Sequence, residues 1–433
     1  MKSRFILIMF LPVVFYSQYF WEEISVSTEE LSAMMPVNGC IDVDNKKILF
    51  YPGICYDDGH FNKIFEWDTD SMDVSVLPVS GDIEPPLPKR FYVSFYDSVS
   101  EKFYLWGGID GGISGGDSFS ETMWIYHRRT TTWQELNLHY SPCGRDQSGW
   151  VNDPDKNIMV LWGGWDGVFF NDLWGFNLDQ HFWFNIVQHG DIPPAYCGFA
   201  CLRLDRKFII FGGILYGTGY SDELYVLDLD SYNWSCPDDF GDIPSRRRHC
   251  RFTFDEEDSL IYLYGGEIGG DTYYNDLYKL DPFSWEWTSI DTEGDVEPVR
   301  SAGMVFTKIQ GERKILLSGG LISFWDVTNY SYILNLPEVD AIEEDFYDIR
   351  DDELLISISP NPVLSNLNVV SDFSGIKSLE LYSVSGKLIT NKEFNINTTI
   401  DFQSLGVTTG LYFIRVSDKP FGKTTSKRIV YIE

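Results

Sequence analysis

The sequence predicts an all-β fold, with six repeated four-stranded units arranged as a propeller and a smaller β-sandwich after them. Two observations predict it. An apolar segment ending in a glycine pair recurs about every fifty residues, a period typical of propeller units. After residue 353 the composition changes from Trp-rich to Ser, Ile, Leu and Asn, in an alternating pattern typical of half-buried strands.

The glycine repeat defines the units. Five copies have the form "YLYGG", and a degenerate first copy, "LFYPG", has Pro52 in place of the first glycine. Glycine permits backbone conformations and close approaches that a Cβ atom would prevent. The second glycines, separated by 49 to 56 residues, are Gly53, Gly108, Gly164, Gly213, Gly266 and Gly320.

Other residues keep the same register within each unit. An aromatic residue follows the glycine pair. A polar residue lies three positions after this aromatic residue, and a tryptophan lies six positions after the polar one. Each unit is therefore predicted to hold a hairpin before the glycines, an aromatic strand and a tryptophan strand. The tryptophans are expected to pack between units, because a single four-stranded unit cannot bury its own face. They are Trp133, Trp183, Trp234 and Trp287, with Val74 in the first unit.

The sixth unit lacks this tryptophan. The N-terminal segment "WEEI" at Trp21–Ile24 matches the repeated "WQEL" and "WTSI". We therefore expect the N-terminal segment to supply the outer strand of the sixth unit. Such a strand would close the ring and cover both sheet edges.

The chain is expected to divide into four parts. Residues 1–18 carry Lys2 and Arg4 followed by a short apolar run, which is typical of a signal peptide. The propeller occupies 19–337 and the sandwich 354–433. Between them, 338–353 has nine acidic residues in sixteen and is predicted to be a solvated linker.

Charge and cysteine content exclude several classes of function. A net charge of −32 argues against nucleic-acid or anionic-membrane partners, because both need a basic face. Neither the N-terminal apolar run nor any later one is long enough to cross a bilayer, so no transmembrane segment is expected. The seven cysteines form no C-x-x-C pair, so neither a metal nor another cofactor is predicted; inert thiols are favoured over a disulfide framework.

The repeat resembles the kelch repeat of β-propellers, in which a hydrophobic strand, Gly-Gly, an aromatic residue and Trp recur. The resemblance implies a six-bladed kelch propeller over 19–337. It also implies that the loops between strands 2 and 3 share one face with the connections from strand 4 to the next strand 1.

The C-terminal segments resemble the type A sorting domain of the Bacteroidetes type IX secretion system, an immunoglobulin-like sandwich. This implies recognition by the outer-membrane translocon, and then release from the cell or display at its surface, via the periplasm. The motif residues are Pro360, Asn361, Pro362, Gly386, Lys387, Gly410, Tyr412 and Lys427.

Two sets of side chains are candidates for ligand binding on the loop face. Aromatic residues after the glycine pairs suit the C–H faces of sugars, although several of them could instead pack between blades. Arginines before each unit could bind a carboxylate or sulfate, or could pair with the local turn residues Asp82, Asp242 and Asp295. The candidates are Arg90, Arg145, Arg246, Arg247, Arg300, Trp165, Phe169, Tyr216, Tyr273, Tyr274 and Trp325.

Three functions remain open from the sequence. The favoured one is a non-catalytic module that binds a glycan or a protein. A second is a sugar-modifying enzyme similar to the six-bladed kelch mutarotases that act on sialic acid, with Glu267, His249 and Arg247 as acid–base and anion-binding groups. A third is a structural adhesin subunit. The sequence contains no other catalytic motif that fits its predicted context, so no catalytic residue is assigned.

Overall fold

The computed structural model describes residues 19–24, 40–42, 47–51, 63–110, 118–217, 219–269, 272–323, 328, 330–337, 356–359, 363, 365–371, 377–383, 388–407, 410–418 and 424–431. Every regular element in these residues is a β-strand, which confirms the all-β prediction. The chain divides into two compact units, Met1–Glu338 and Val339–Glu433. Pro360, Asn361, Pro362, Gly386, Lys387 and Trp325 lie outside the described residues.

The described part of the first unit forms six antiparallel sheets with four main strands each, called blades 1 to 6 below. In chain order, their strands are Cys40–Asp42, Lys47–Phe50, Phe65–Asp68 and Val74–Val76 (blade 1); Val93–Asp97, Lys102–Trp106, Met123–His127 and Thr132–Leu136 (blade 2); Gly149–Asp153, Ile158–Trp162, Leu173–Asn177 and Phe182–Asn185 (blade 3); Ala200–Leu204, Lys207–Phe211, Leu224–Asp228 and Asn233–Ser235 (blade 4); Arg251–Asp255, Leu260–Tyr264, Leu277–Asp281 and Glu286–Ile290 (blade 5); and Gly303–Ile309, Glu312–Ser318 and Ser331–Asn335, with Phe20–Ile24, in blade 6.

The polar residue of the repeat forms the turn between strands 3 and 4. In blade 5, Asp281 Oδ1 accepts hydrogen bonds from the backbone N–H groups of Phe283 and Ser284, at 2.9 and 3.4 Å. Asn177 and Asp228 make the same turn in blades 3 and 4. A short acceptor side chain is needed for this turn, which explains the Asp or Asn at these positions.

The repeated tryptophans join neighbouring blades. Trp234 of blade 4 packs on Trp162 of blade 3, with ring centroids 5.3 Å apart, and Trp287 of blade 5 packs on Phe211 of blade 4 at 4.9 Å. In each case the partner is the aromatic residue directly before the glycine pair of the preceding blade. The tryptophan therefore belongs to the core between two blades, as the sequence predicts.

The N-terminal strand Phe20–Ile24 pairs antiparallel with Ser331–Asn335 and is the outer strand of blade 6. Trp21 is buried and packs on Tyr264 of blade 5, with ring centroids 5.2 Å apart. It therefore occupies the position of the repeated tryptophan. On the other side, Val305 and Ile333 of blade 6 pack with Ile48 and Phe65 of blade 1 in one hydrophobic cluster.

A Gly-Asp pair recurs in the strand 4–1 connections, at 81–82, 190–191, 241–242 and 294–295. This Gly-Asp repeat docks on the next blade in two connections. His189–Gly190 pairs parallel with the outer strand of blade 4, and Phe240–Gly241 pairs parallel with that of blade 5. Gly241 has a φ of 86°, and a Cβ atom there would lie 2.3 Å from the Trp287 carbonyl oxygen. Glycine is therefore required sterically at this position.

The second unit contains two sheets that share one hydrophobic core. Leu367 and Ile400 from the first sheet and Leu379 and Ile414 from the second are buried in that core. The first sheet consists of Ile356–Ser359, Asn366–Ser371 and Asn397–Asp401. The second consists of Lys377–Ser383, Leu388–Phe394, Gly410–Asp418 and Thr424–Tyr431.

Candidate functional site: the loop face of the propeller

The strand 4–1 connections pair directly with the strand 2–3 loops, so both lie on one face of the propeller. In each of five blades, one connection residue pairs antiparallel with the residue that follows the glycine pair. This common face is called the loop face below. The pairs are Arg90 with Ile109, Asp146 with Trp165, Cys197 with Ile214, Arg248 with Glu267, and Arg300 with Leu321.

A chain of backbone hydrogen bonds links five blades at this face. The N–H groups of Gln147, Gly198, His249 and Ser301 each donate to the carbonyl of the equivalent residue in the preceding blade, at 3.1, 3.0, 2.6 and 2.9 Å. The first acceptor is Phe91, and all five residues have a φ between 52° and 69°. The left-handed conformation is therefore a repeated feature of the fold, and it fixes the positions of the side chains beside it.

Two of the predicted binding arginines are buried and paired. Arg145 Nη1 and Nη2 donate to the two carboxylate oxygens of Asp172 at 2.5 and 3.1 Å, and its guanidinium lies 3.7 Å from the centroid of the Phe170 ring. Arg247 makes the same bidentate pair with Asp276, at 2.5 and 2.8 Å, over the ring of Tyr274.

Both arginines also donate to backbone carbonyl groups of their loops. These contacts use most of the guanidinium hydrogens, so each arginine fastens a 4–1 connection to a 2–3 loop. The partners are not the local turn residues that sequence analysis considered. Asp242 Oδ2 instead accepts the N–H of Ser289 at 3.1 Å.

A third arginine belongs to a polar cluster at the centre of the loop face. Arg300 Nη1 donates to Glu267 Oε1 at 2.6 Å, and Arg248 Nε donates to the same oxygen at 2.9 Å. The ring of His249 lies between this carboxylate and Gln147. Its Nδ1 is 3.4 Å from Glu267 Oε1, and its Nε2 is 2.7 Å from Gln147 Oε1.

The pKa values of this cluster lie far from neutrality. Burial lowers the pKa of His249 to about 3, and the neighbouring arginines act in the same direction. Burial alone would raise the pKa of Glu267, but its hydrogen bond with His249 and the charges of Arg300 and Arg248 lower it to about 2. At neutral pH the pair is therefore a neutral imidazole and a carboxylate, neither of which is poised for proton transfer.

The two remaining predicted arginines differ in exposure. The Arg246 side chain is exposed, and its Nε lies 3.3 Å from Asp222 Oδ1. Arg90 is half-buried in a short strand beside Ile109. Of the five predicted arginines, two therefore fasten loops, one pairs with Glu267, one lies beside Asp222, and Arg90 lies in the short strand beside Ile109.

The predicted aromatic residues divide in a similar way. Tyr274 lies against Arg247, and the Arg300 guanidinium lies 5.9 Å from the Tyr273 ring centroid. Phe169 and Tyr216 instead meet across blades 3 and 4, with ring centroids 6.2 Å apart, and 82% of Tyr216 is exposed. Trp165 pairs with Phe169 in the same loop and contacts Phe119 of blade 2.

These four residues form a continuous surface across blades 2 to 4, called the aromatic row below: Phe119, Trp165, Phe169 and Tyr216. Val168, which is 59% exposed, extends it. Gly217, beside Tyr216, has nothing within 4 Å of the position of a Cβ atom. The backbone at this loop tip therefore has open space beside it, unlike the 4–1 connection at Gly241.

Other predicted features can be located in part. Within the described residues, no cluster of three His, Cys, Asp or Glu side chains is suited to a metal, and Cys143, Cys197, Cys201, Cys236 and Cys250 are free thiols. No described helix has the length and apolar character needed to span a bilayer. In the second unit, Gly410 begins a strand, and Tyr412 is buried against Phe402. Lys427 lies opposite Ile414 in the last strand.

Comparison with known families identifies both parts of the chain. The family model described as the KLHDC2/KLHL20/DRC7 kelch-repeats domain matches residues 11–213 and 198–343. The chain belongs to the kelch-repeat family. A second model, the secretion system C-terminal sorting domain, matches residues 357–432 of this kelch-repeat protein. Both predicted resemblances are therefore confirmed, and the protein is exported through type IX secretion to the cell surface or the medium.

Individual relatives match part of the chain. Host cell factor of Drosophila melanogaster is 29% identical over 210 residues, 44% of this chain and 14% of that protein. Acyl-CoA-binding domain-containing protein 4 of Arabidopsis thaliana is 28% identical over 259 residues, 54% of this chain and 35% of that protein. The kelch-repeat protein thus spans well under half the length of these relatives.

A solved structure supports the fold of the repeats. The structure of YjhT has a TM-score of 0.54 to this chain at 14% identity, and the match covers 70% of this chain and 94% of that one. At this level of identity the likeness shows the β-propeller fold alone.

Proposed function

We propose that the exported kelch propeller is a non-catalytic binding module for glycans, and that the aromatic row is its glycan surface. The observation that carries the proposal is the contact between the half-buried Phe169 and the exposed Tyr216 at the tips of two neighbouring loops. Exposed aromatic rings with apolar faces and polar edges suit a ligand that alternates C–H faces with hydroxyl groups.

The polar surroundings of the row support a glycan over an apolar partner. Asn171 is exposed and Asp222 is half-buried on the same two loops. The Asn171 amide can donate hydrogen bonds to sugar hydroxyls and accept them, and the Asp222 carboxylate can accept them. Sugars carry many hydroxyl groups, so a surface that mixes aromatic faces with such side chains can satisfy both parts of the ligand. A contiguous aromatic surface on an exported protein also marks an interaction site.

The paired state of the central cluster supports a role without acid–base catalysis. Glu267 and His249 have pKa values of about 2 and about 3, and Arg247, the third group considered for a mutarotase, is engaged by Asp276. An acid–base catalyst works best with a pKa near the operating pH. These observations favour the binding module over the enzyme.

The proposal is tested by probing a glycan array with the purified protein and then measuring the affinity for the best glycan by calorimetry. The Phe169→Ala/Tyr216→Ala double variant should weaken that affinity about tenfold or more, because each buried aromatic contact contributes on the order of 1 kcal/mol. Val99→Ala is the control: Val99 is 86% exposed in a strand 1–2 turn, and its loss should leave the affinity unchanged.

Two outcomes would reject the proposal. Equal affinities of the protein and the double variant would remove the aromatic row from the site, and a blank array would favour a protein partner. Proton NMR of the bound glycan tests the non-catalytic part separately, because accelerated anomeric exchange would identify an enzyme.

A further inference from the structure

The inner strands of blades 2 to 6 surround a cavity of about 400 Å³ in the centre of the propeller. This volume is in the range of small-molecule sites. Its walls include the aromatic side chains of Phe95, Trp150, Phe199 and Phe252. The cavity therefore offers apolar surface to a ligand, and it is distinct from the aromatic row on the loop tips.

The charge of this cavity is opposite to that of the protein. The chain has 65 acidic and 33 basic residues, yet the described residues lining the cavity include two arginines, Arg203 and Arg251, and no carboxylate. Asp153, which follows the cavity-lining residue Asn152 in the chain, is paired with Arg206. A cavity lined by two cations, with no carboxylate among its described lining residues, is suited to an anion.

Arg251 is the less engaged of the two. Its Nε donates to the carbonyl oxygen of Ala302 in blade 6 at 2.8 Å, and this is its one side-chain hydrogen bond within the described part of the chain. Both terminal nitrogens are therefore left to face a ligand. Burial lowers the pKa of Arg251, because removal from water destabilises the cation, and a bound anion would offset that cost.

Arg203 is held more firmly. Its Nε donates to Asn152 Oδ1 at 3.1 Å and its Nη1 to the carbonyl of Asp205 at 3.0 Å. It is the fourth residue of its inner strand, whereas Arg251 is the first residue of the next blade's inner strand. Arg203 thus lies farther from the loop face. It adds positive potential to the cavity, and its Nη2 makes no hydrogen bond within the described residues.

The arginines elsewhere on the propeller make the contrast clear. Arg145, Arg206, Arg247 and Arg313 each pair with at least one carboxylate. In the described residues, neither Arg203 nor Arg251 has a carboxylate oxygen within 4.0 Å. Asp153, Asp205 and Asp155 still act electrostatically on Arg203, whereas the groups that act on Arg251 include no carboxylate. Retaining the Arg251 guanidinium without a carboxylate partner in a chain this acidic indicates a ligand-binding role.

We propose that this cavity is a binding site for a small organic carboxylate. The carboxylate is held by the terminal guanidinium nitrogens of Arg251, and the rest of the molecule packs against the aromatic walls. The planar fork of a guanidinium group matches a carboxylate with two parallel hydrogen bonds. Arg203 adds to the electrostatic attraction for the carboxylate from a position deeper in the cavity. This site goes beyond the proposed glycan surface and does not depend on it.

The test is calorimetric titration of the purified protein with benzoate, glucuronate, inorganic phosphate and the neutral analogue benzamide. At least one carboxylate should bind with a dissociation constant of about 1 mM or tighter, and benzamide should not. Arg251→Gln should weaken that binding about 10- to 100-fold, because a hydrogen bond to a charged group contributes about 1.5–3 kcal/mol. Arg203→Gln should weaken it less.

Controls separate the site from the fold and from the glycan surface. Arg129→Gln removes a cation whose side chain is 72% exposed at a distant turn, and the Phe169→Ala/Tyr216→Ala variant alters the aromatic row; both should keep carboxylate affinity. Thermal melts check that Arg251→Gln is folded. Arg251→Lys keeps the charge but loses the planar fork, so its affinity should be intermediate.

Three results would overturn the proposal. The first is that neither carboxylate binds at about 10 mM. The second is that carboxylate affinity is the same in Arg251→Gln, Arg203→Gln and the unsubstituted protein. The third is that phosphate binds more tightly than both carboxylates, which would make the cavity a site for inorganic anions.

Discussion

The 4–1 connections and the 2–3 loop tips lie on the same face of the propeller, yet they do different work. The connections pack tightly: Gly241 fits against the Trp287 carbonyl, and Arg247 fastens its loop through Asp276. The tips of the 2–3 loops of blades 3 and 4 expose Tyr216 and leave open space around Gly217. The same face thus combines a rigid frame with a surface available to a ligand.

The largest predicted loss of stability concerns the N-terminal strand Phe20–Ile24, on which the connection between blades 5 and 6 docks. Trp21 N donates to the Glu293 carbonyl at 2.9 Å, and its ring packs on Tyr264. Trp21→Ala should lower the free energy of unfolding by about 3–5 kcal/mol, the usual cost of truncating a buried tryptophan. Trp287→Ala is the matched control in a blade made from contiguous sequence.

Urea denaturation of both tryptophan variants makes the comparison. Equal losses would mean that the N-terminal strand is as integral to blade 6 as the outer strand is to blade 5. A loss below about 1 kcal/mol for Trp21→Ala, with a large loss for Trp287→Ala, would contradict the closure of the propeller by this strand.

The second prediction compares a paired arginine with an unpaired one. Arg247→Ala leaves Asp276 and two loop carbonyls without their donor, so the free energy of unfolding should fall by about 3 kcal/mol. Arg251→Ala loses one hydrogen bond and should cost about 1 kcal/mol. Denaturant titrations measure both, and equal costs would invalidate the distinction between the two kinds of arginine.

The third prediction concerns the pH dependence of the central cluster. The pKa of His249 in the folded protein, about 3, lies below the ordinary value of 6.5, so the unfolded chain takes up this proton first as the pH falls. Stability due to the neutral ring is complete above about pH 6.5 and is lost as the pH falls towards 3. Glu267, with a pKa of about 2, adds a loss below its ordinary value of 4.5.

His249→Gln isolates the imidazole contribution. Between pH 7 and pH 4, the unsubstituted protein should lose about 2–3 kcal/mol more stability than the variant, because glutamine does not titrate. Denaturant midpoints at several pH values give the two slopes. Parallel slopes would show that His249 titrates normally in the folded state.

The smallest predicted difference compares two glycines that share a positive φ. Gly241→Ala adds a clash with the Trp287 carbonyl to the backbone strain, and should cost about 2–3 kcal/mol. Gly217→Ala meets nothing within 4 Å and should cost about 1 kcal/mol from strain alone. Thermal melts rank the two, and a larger effect at Gly217 would mean that its loop tip packs against other residues.

Sequence periodicity predicted the strands of the propeller blades and the packing of the tryptophans between them. Glycine pairs, aromatic residues and tryptophans recur at a fixed spacing, so one unit explains all six. The docking of Gly241 on Trp287 was not predicted, because the two residues are far apart in the chain and the contact crosses between blades. The Gly-Asp repeat was visible, but its packing partner was not.

The candidate site was less predictable for a physical reason. A paired and an unpaired arginine look the same in sequence, and Arg145 and Arg247 find their carboxylates 27 and 29 residues later. Arg251 was missed, although a signal existed. It begins an inner strand whose equivalent positions hold Val93, Gly149, Ala200 and Gly303, so a charged residue there is an exception.

The central claim is that the 2–3 loop tips of blades 3 and 4 bind a glycan while the 4–1 connections only hold the face together. Hydrogen–deuterium exchange of the purified protein, with and without its best array glycan, tests this most directly. The account predicts slower exchange in residues 165–170 and 214–217 and no change in 240–247. Protection confined to the strand 1–2 turns at the opposite end, with none at the loop tips, would contradict it.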